Sequence, residues 1–138
     1  MKKISLNTKK LKMQKKIRYK IIKKRTRYSC AINGSSLYAL KYPPKTMVFA
    51  RPETMGVFCF DTLKSARAFL NRHYYYMKNC KIVKVLPIGK GTMRDEIYLI
   101  NQMKEMYNDL MKNSPVDYGY LMSAPYGTMS YPGVYVIE

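Results

Sequence analysis

The side chains best suited to metal or redox chemistry in this sequence are one histidine and three cysteines. They are His73, Cys30, Cys59 and Cys80. Structural zinc sites take their ligands in close pairs, about two to four residues apart, whereas these four residues are widely separated along the chain. We therefore expect no metal site. An odd number of separated cysteines also predicts reduced thiols rather than a disulfide framework.

Acid–base and nucleophilic catalysis also lack residues in a suitable pattern. Asp95 and Glu96 are neighbours in sequence. On a helix they would point in different directions, which makes them a poor acid/base pair. No glycine-flanked serine marks a nucleophile elbow, and any histidine mechanism would depend on His73 alone. We predict that the protein is not an enzyme and needs no cofactor.

The segment best suited to hold a phosphate group is Gly89-Lys90-Gly91-Thr92. If a helix begins here, free backbone amides, the helix dipole, a lysine and a hydroxyl group converge on one anion. The segment is not a P-loop, because Lys84 occupies a position where that motif needs glycine. An ordinary turn from strand to helix is the alternative. The predicted phosphate contacts are Lys90, Gly91, Thr92 and Arg94.

Positive charge is the dominant property of the chain. Its 138 residues include 26 Lys and Arg against 8 Asp and Glu, which gives a net charge of +18. Half of the basic residues lie in residues 1–27, and no acidic residue precedes Glu53. A basic block of this kind commonly serves as an arm for an anionic partner.

The basic block predicts nucleic-acid binding with little sequence preference. Each phosphate neutralised by lysine or arginine releases counterions, so charge alone can supply the affinity for either DNA or RNA. A solvated tail that aids solubility and an arm that docks on an acidic protein surface are the alternatives. The expected phosphate contacts are Lys9, Lys10, Lys12, Lys15, Lys16, Arg18, Lys23, Lys24, Arg25 and Arg27.

Tyrosine is a second candidate for contact with nucleic acid. Several tyrosines fall on expected strands beside lysine or arginine, where a ring can stack on a base while the cation contacts the backbone. Tyrosine also suits a half-buried strand position with its hydroxyl at the surface, and we favour this structural role. The tyrosines concerned are Tyr19, Tyr28, Tyr38 and Tyr42.

Strands are predicted where apolar and polar residues alternate, or where turn residues bound a short apolar run. Asn33-Gly34-Ser35-Ser36 predicts a turn between two strands. Pro87 is expected to end another strand, since proline cannot donate a ladder hydrogen bond. Short turns between the early strands imply antiparallel pairing. The expected strands cover residues 17–22, 28–32, 37–42, 46–50, 56–60, 81–86 and 134–137.

Two helices are predicted from apolar residues that recur every three or four positions. The first covers residues 62–76, and Asp61 suits its N-cap because a carboxylate can accept free amide hydrogens. The second covers residues 93–112, where Thr92 and Asp95 have the capping-box spacing. The expected fold is therefore α+β, with a curved antiparallel sheet and two helices packed on one face.

The central part of the sequence resembles a module of small phage and mobile-element proteins. The resemblance rests on Gly56-Val57-Phe58-Cys59-Phe60-Asp61, on Ala66 and Phe69, and on Lys81-Ile82-Val83-Lys84-Val85, and it extends over about residues 19–92. Those proteins are mostly of unknown function, and many act in host takeover or against host defences. The resemblance implies a strand–helix–strand packing unit and a phage origin. It carries over no functional residue.

The chain length suits one domain. We expect residues 1–16 to form a flexible, disordered basic arm, because they are polar and highly charged, and residues 17–138 to form a single α+β domain. No apolar run approaches the roughly 20 residues that span a bilayer, and no secretory signal is visible. We expect the protein in the host cytoplasm or inside a virion, neither secreted nor transmembrane.

Three functions are consistent with these features. The first is a phage-type accessory protein that binds nucleic acid through the lysine-rich arm. The second is a phage-encoded inhibitor of a host defence system, which would bind a CRISPR-like nucleoprotein complex or sequester a cyclic nucleotide. In that case Lys90, Thr92 and Arg94 would contact phosphates. The third is a structural or cargo protein of a virion.

Overall fold

A computed structural model describes residues 11–30, 40–51, 56–75, 77–93, 96–98, 121–123 and 125–138. The elements within these residues are β1 (Arg18–Lys23), β2 (Met47–Phe49), β3 (Val57–Phe60), α1 (Leu63–Arg72), β4 (Cys80–Ile88), β5 (Thr92–Met93), β6 (Glu96–Tyr98), β7 (Leu121–Ser123), β8 (Thr128–Tyr131) and β9 (Gly133–Val136). Seven of the strands form one sheet in the order β2-β9-β4-β1-β3-β8-β5, and β6 and β7 form a separate pair. All these pairings are antiparallel.

The longest strand, β4, connects the two halves of the sheet. Its first part pairs with β1, from Lys23↔Cys80 to Arg18↔Val85. Its last part pairs with β9, from Val85↔Val136 to Ile88↔Gly133. Valine and isoleucine are frequent in β4, and β-branched side chains of this kind favour a buried, extended backbone.

Successive residues of β1 point to opposite faces of the sheet, and each face has its own apolar cluster. Ile22 belongs to the cluster on the first face, which we call the sheet core, together with Val57, Val85 and Val134. Ile21 belongs to the second cluster, which also contains Phe60, Ala66 and Phe69. Because α1 contacts β1, β3 and β4, this second face is the one that the helix covers.

The helix α1 begins one residue later than the expected cap implies. Thr62 is the N-cap, with an extended backbone, and its side-chain oxygen accepts a hydrogen bond from the Ser65 amide at 3.1 Å. The prediction that Asp61 caps the helix is therefore wrong. The helix ends at Arg72, where the His73 amide donates to the Phe69 carbonyl, so the predicted extension to residue 76 is also wrong.

The prediction of two helices on one face is wrong, because its second helix does not begin where the sequence indicated. Thr92 and Met93 form β5 and pair with Ser130 and Met129 of β8. A little further along, β6 pairs with β7. Pairing with strands distant in sequence overrides the local helical pattern here. The expected apolar stripe of that helix, from residue 99 onward, lies outside the described residues.

The prediction that Pro87 ends a strand is wrong as well, since Pro87 lies inside β4 and pairs with Val134. The Ile137 amide donates to the Lys84 carbonyl. Lys84 is therefore in a hydrogen-bonded pair with β9. Such pairs alternate with non-hydrogen-bonded pairs along an antiparallel ladder. Pro87, three residues further on, is thus in a non-hydrogen-bonded pair, and its nitrogen faces away from β9. The absence of an amide hydrogen at Pro87 therefore removes no hydrogen bond between β4 and β9.

Part of the predicted basic arm pairs with the end of β4. Met13 is opposite Ile88, the Gln14 amide donates to the Pro87 carbonyl at 2.7 Å, and the Gly89 amide donates to the Lys12 carbonyl at 2.8 Å. This segment lies on the same side of β4 as β1. The remainder of the predicted arm, residues 1–10, lies outside the described residues.

The other early strands are only partly described. Tyr28 and Ser29 form isolated bridges with Lys41 and Ile22, and residues 31–39, with the predicted turn, lie outside the described residues. The helix α1 is too short and too polar to cross a membrane.

Candidate nucleic-acid interface

The described surface is basic almost everywhere. Asp61 and Glu138 are the only acidic residues whose side chains the structure describes. The exposed lysines and arginines of this part of the chain include three sets that we name here. They are the N-terminal group (Lys12, Lys15, Lys16), the turn group (Lys24, Arg25) and the helix group (Lys64, Arg67, Arg72).

A bulge positions the N-terminal group. Between the pairs Met13↔Ile88 and Arg18↔Val85, the N-terminal strand has four residues and β4 has two. The extra residues cannot be paired and must leave the ladder. Lys15 and Lys16 lie at this point, and both are exposed. Lys15 and Lys16 therefore project to solvent from a short bulge that is paired at both ends.

The pairing also brings together two sites that the sequence analysis treated separately. Because the Gly89 amide donates to the Lys12 carbonyl, the N-terminal group lies beside the Gly89–Thr92 segment. Gln14 Nε2 donates to the Gly89 carbonyl at 2.5 Å, which adds a second link. Lys90 is exposed and follows Gly89 directly, so the two paired segments together carry four exposed lysines.

The phosphate site predicted at this segment lacks the helix on which its argument rested. Thr92 lies in β5, so no helix dipole or free first-turn amides are available at this point. The Gly89 amide already has an acceptor in Lys12. A Cβ at Gly91 would clash with the Tyr131 ring, so the backbone there is packed against a core side chain. Arg94 lies outside the described residues.

Two of the predicted phosphate contacts form structural hydrogen bonds instead. Arg18 Nε donates to the Tyr131 hydroxyl at 2.9 Å, and its Nη1 donates to the Asp61 carbonyl at 3.2 Å. Arg27 Nε donates to the Tyr42 carbonyl at 2.8 Å, and its Nη2 donates to the Glu138 carbonyl at 2.8 Å. These guanidinium groups join segments that are distant in sequence.

The other predicted contacts differ in accessibility. The turn group is exposed in the turn that follows β1, where the Arg27 amide closes back on the Lys23 carbonyl at 3.0 Å. Lys23 itself is half-buried. Lys9 and Lys10 lie outside the described residues.

Lys20 is a buried cation that the sequence analysis did not single out. Its Nζ donates to the Phe58 carbonyl at 2.6 Å and lies 4.9 Å from the centre of the Tyr42 ring. Burial lowers the pKa of Lys20, and the nearby Cys30 and Cys59 thiols oppose that shift only in part. Lys20 is 5% exposed, so it cannot contact an external polyanion.

The thiols are free in the structure and poorly suited to act as nucleophiles. Burial raises the pKa of Cys59 to about 12 and that of Cys30 to about 11, with Lys20 opposing both shifts. Burial also raises the pKa of Cys80. The reactive species of cysteine is the thiolate, and these pKa values disfavour it at neutral pH. No cluster of metal ligands occurs among the described residues.

The tyrosines singled out from the sequence occupy different environments. Tyr42 is buried in the sheet core, and Tyr19 packs against the cluster on the helix face. Tyr28 is half-buried beneath the Lys41 ammonium, 5.4 Å from its ring centre. Tyr38 lies outside the described residues. None of the three described rings is fully exposed.

The sequence analysis did not single out the helix group, and it did not predict Tyr126 as a contact for nucleic acid. The helix group occupies the exposed side of α1, and the polar face of the predicted amphipathic helix would have indicated it. Tyr126 is 91% exposed, in the turn before β8. Only the tertiary structure places it beside α1. His73, in contrast, packs on Phe69 with ring centroids 4.6 Å apart.

Comparisons with known proteins add no further constraint, since no family model, curated protein or solved structure matches the chain. The resemblance to phage proteins therefore stays a prediction.

Proposed function

We propose that this protein is a phage-type accessory protein that binds nucleic acid through electrostatic contacts with little sequence preference. The observation that supports the proposal most directly is the surface of the two paired segments that carry the N-terminal group and Lys90. Its four lysines are exposed, and two hydrogen bonds to Gly89 join the segments that carry them. Such a surface can neutralise several phosphates at once.

Pairing with β4 lowers the entropic cost of using this surface. A free arm must lose backbone freedom when it binds, at roughly 1–2 kcal/mol for each residue that becomes fixed. Lys12 and Gln14 already have extended backbones that are hydrogen-bonded to Gly89 and Pro87. Lys12 therefore needs to order only its side chain on a phosphate backbone, and Lys15 and Lys16 lie in a short bulge whose two ends are already paired.

The test compares two variants of the full chain that lose the same number of charges. K12Q/K15Q/K16Q removes the N-terminal group, and K41Q/K45Q/K78Q removes three exposed lysines elsewhere. Substitution is preferable to deletion, because deleting this segment would also remove its hydrogen bonds to β4. Affinity for labelled duplex DNA and single-stranded RNA is measured by fluorescence anisotropy over a series of salt concentrations.

We expect the first variant to bind duplex DNA more weakly and to lower the log–log salt slope by at most about 3, at about 0.9 per lost phosphate contact. The control variant should change the slope less. Equal effects of the two variants would reject the N-terminal group as the interface. Failure of the unmodified chain to bind at low salt would reject nucleic-acid binding and favour the defence-inhibitor or virion hypotheses.

A further inference from the structure

A cleft of about 420 Å³ lies between α1 and the turn that precedes β8. The helix contributes one wall, and Pro125 and Tyr126 contribute the other. The cleft combines cations, hydroxyl groups and aromatic rings, and no acidic side chain lines it. The lining residues are Thr62, Lys64, Ser65, Ala68, Phe69, Arg72, Pro125 and Tyr126.

Hydrogen bonds hold the turn that carries Tyr126 in place. The Asp61 amide donates to the Gly127 carbonyl at 2.9 Å. On the other side of Tyr126, the Thr128 amide and hydroxyl both donate to the Pro125 carbonyl, at 3.1 and 2.6 Å. Tyr126 is thus an exposed ring on a backbone that is fixed on both sides.

Gly127 allows the turn to approach the helix closely. Its φ is +84°, and a Cβ there would lie 2.5 Å from Asp61 Oδ1 and 2.7 Å from Ser65 Oγ. The turn therefore rests directly on the first residues of α1. The Asp61 carboxylate lies beneath it, is not part of the cleft lining, and its Oδ1 is buried.

The cations of the cleft are spaced along the helix. Lys64 and Arg72 are both exposed, and eight residues of helix separate them by roughly 12 Å at about 1.5 Å per residue. Phe69 lies between them in sequence and also lines the cleft. A ligand that fits this arrangement has a flat apolar part with negative charges on both sides.

We propose that this cleft binds one nucleotide unit of a single-stranded nucleic acid. The base would stack on Tyr126, near Phe69, and the flanking phosphates would contact Lys64 and Arg72. This proposal rests on the proposed function and extends it, because it names single strands as the preferred form. Bases in a duplex are stacked on one another, so their faces cannot reach a protein ring, whereas bases of a single strand can.

The test substitutes Tyr126 and a matched exposed tyrosine that lies outside the cleft. Y126L removes the ring from the cleft, and Y74L removes a ring that is 64% exposed just after α1. Both side chains are exposed, so the thermal unfolding midpoint should not change. The probes are a fluorescein-labelled oligothymidine and a labelled DNA hairpin duplex, with affinities measured by anisotropy in the same buffer.

We expect Y126L to bind oligothymidine about tenfold more weakly, in line with the loss of one base–aromatic stack, and to bind the hairpin unchanged. Y74L should match the unmodified chain on both probes. K64Q/R72Q should weaken oligothymidine binding and reduce its salt slope. If Y126L loses nothing, or loses the same on both probes, the cleft proposal fails while the proposed function stands. If the unmodified chain binds neither probe, both proposals fail.

Discussion

The buried Lys20 gives a prediction that tests the energetics of the sheet core. The side chain lies on the same face of β1 as Ile22, and its Nζ contacts the Phe58 carbonyl and the Tyr42 ring. A cation in this position must be removed from water, and the groups around it are a carbonyl, a ring and two thiols. We predict that K20M stabilises the protein at pH 7.

The expected magnitude follows from opposing contributions. Removing the ammonium recovers a desolvation penalty of several kcal/mol. Against this, the substitution loses a charged hydrogen bond of about 1.5–3 kcal/mol and a cation–π contact of about 1–2 kcal/mol. Burial lowers the pKa of Lys20, which is the direction expected when desolvation of the ammonium group is the largest contribution. Methionine preserves the length and apolar character of the side chain, so we expect a net gain of about 1 kcal/mol.

The pH dependence provides an independent readout. The pKa of Lys20 is lowered in the folded state from its unfolded value of about 10.4, so the unfolded state binds more protons between the two values. The contribution of Lys20 to folding stability therefore rises with pH through that window and is least favourable below it. K20M lacks this dependence.

The assay is urea denaturation at a series of pH values from 7 to 10, for the unmodified chain, K20M and K84M. Lys84 is an exposed lysine on β4, so K84M is the control for loss of a charge from the sheet. The thiols contribute with the opposite sign, because their raised pKa values reduce stability above the unfolded thiol pKa of about 8.5. The folded pKa values of Cys30 and Cys59 are about 11 and 12 with Lys20 present and rise further without it, so below pH 10 this contribution differs little among the three proteins. The stability gap between K20M and the unmodified chain should narrow as the pH rises from the folded pKa of Lys20 towards its unfolded value of about 10.4. A loss of more than about 2 kcal/mol in K20M, or a gap independent of pH, would refute the reasoning.

Two further predictions concern the turn before β8 and the thiols. G127A should lower the free energy of unfolding by about 2 kcal/mol, because a left-handed φ and a Cβ contact with Asp61 Oδ1 are both unfavourable. Urea denaturation measures this loss, and a midpoint equal to that of the unmodified chain would show that the turn is not tightly held. Cys59 should resist iodoacetamide at pH 8 in the folded protein and react after unfolding, since burial raises its pKa to about 12. Mass spectrometry of the labelled peptides measures this difference, and rapid labelling of folded Cys59 would contradict it.

The elements that could be predicted from the sequence are those with strong local patterns. Alternation predicted β1 and the Gly-x-Phe-x-Phe run predicted β3, while the spacing of three and four predicted α1. The second helix was wrong at its start because β5 forms through pairing with β8, and Ser130 is far from Thr92 in sequence. Whether β4 could continue through Pro87 depended on which neighbouring strand the Pro87 nitrogen faces. No local sequence pattern contains that information.

The candidate sites show the same dependence on distant partners. Arg18 looked like a phosphate contact within a basic run, but its partner Tyr131 is 113 residues away. Lys20 shares one face of β1 with Arg18 and Ile22, yet alternation alone does not distinguish a buried face from a solvated one when both faces of a strand are covered. The turn with Tyr126 has no basic neighbour in sequence. Its relation to Lys64 and Arg72 arises only when β8 pairs beside β3.

The two proposed surfaces imply different roles in binding. The N-terminal group consists of flexible lysines with no exposed aromatic ring among them, so it suits any phosphate backbone and contributes mainly to salt-dependent affinity. The cleft beside α1 adds aromatic contact, which depends on access to the face of a base. Substitution of the lysines should therefore weaken duplex and single strand together, whereas substitution of Tyr126 should separate them. The alternative is that both sets of substitutions act only through net charge. In that case K12Q/K15Q/K16Q and K41Q/K45Q/K78Q would change the preference between duplex and single strand equally, and Y126L would leave that preference unchanged.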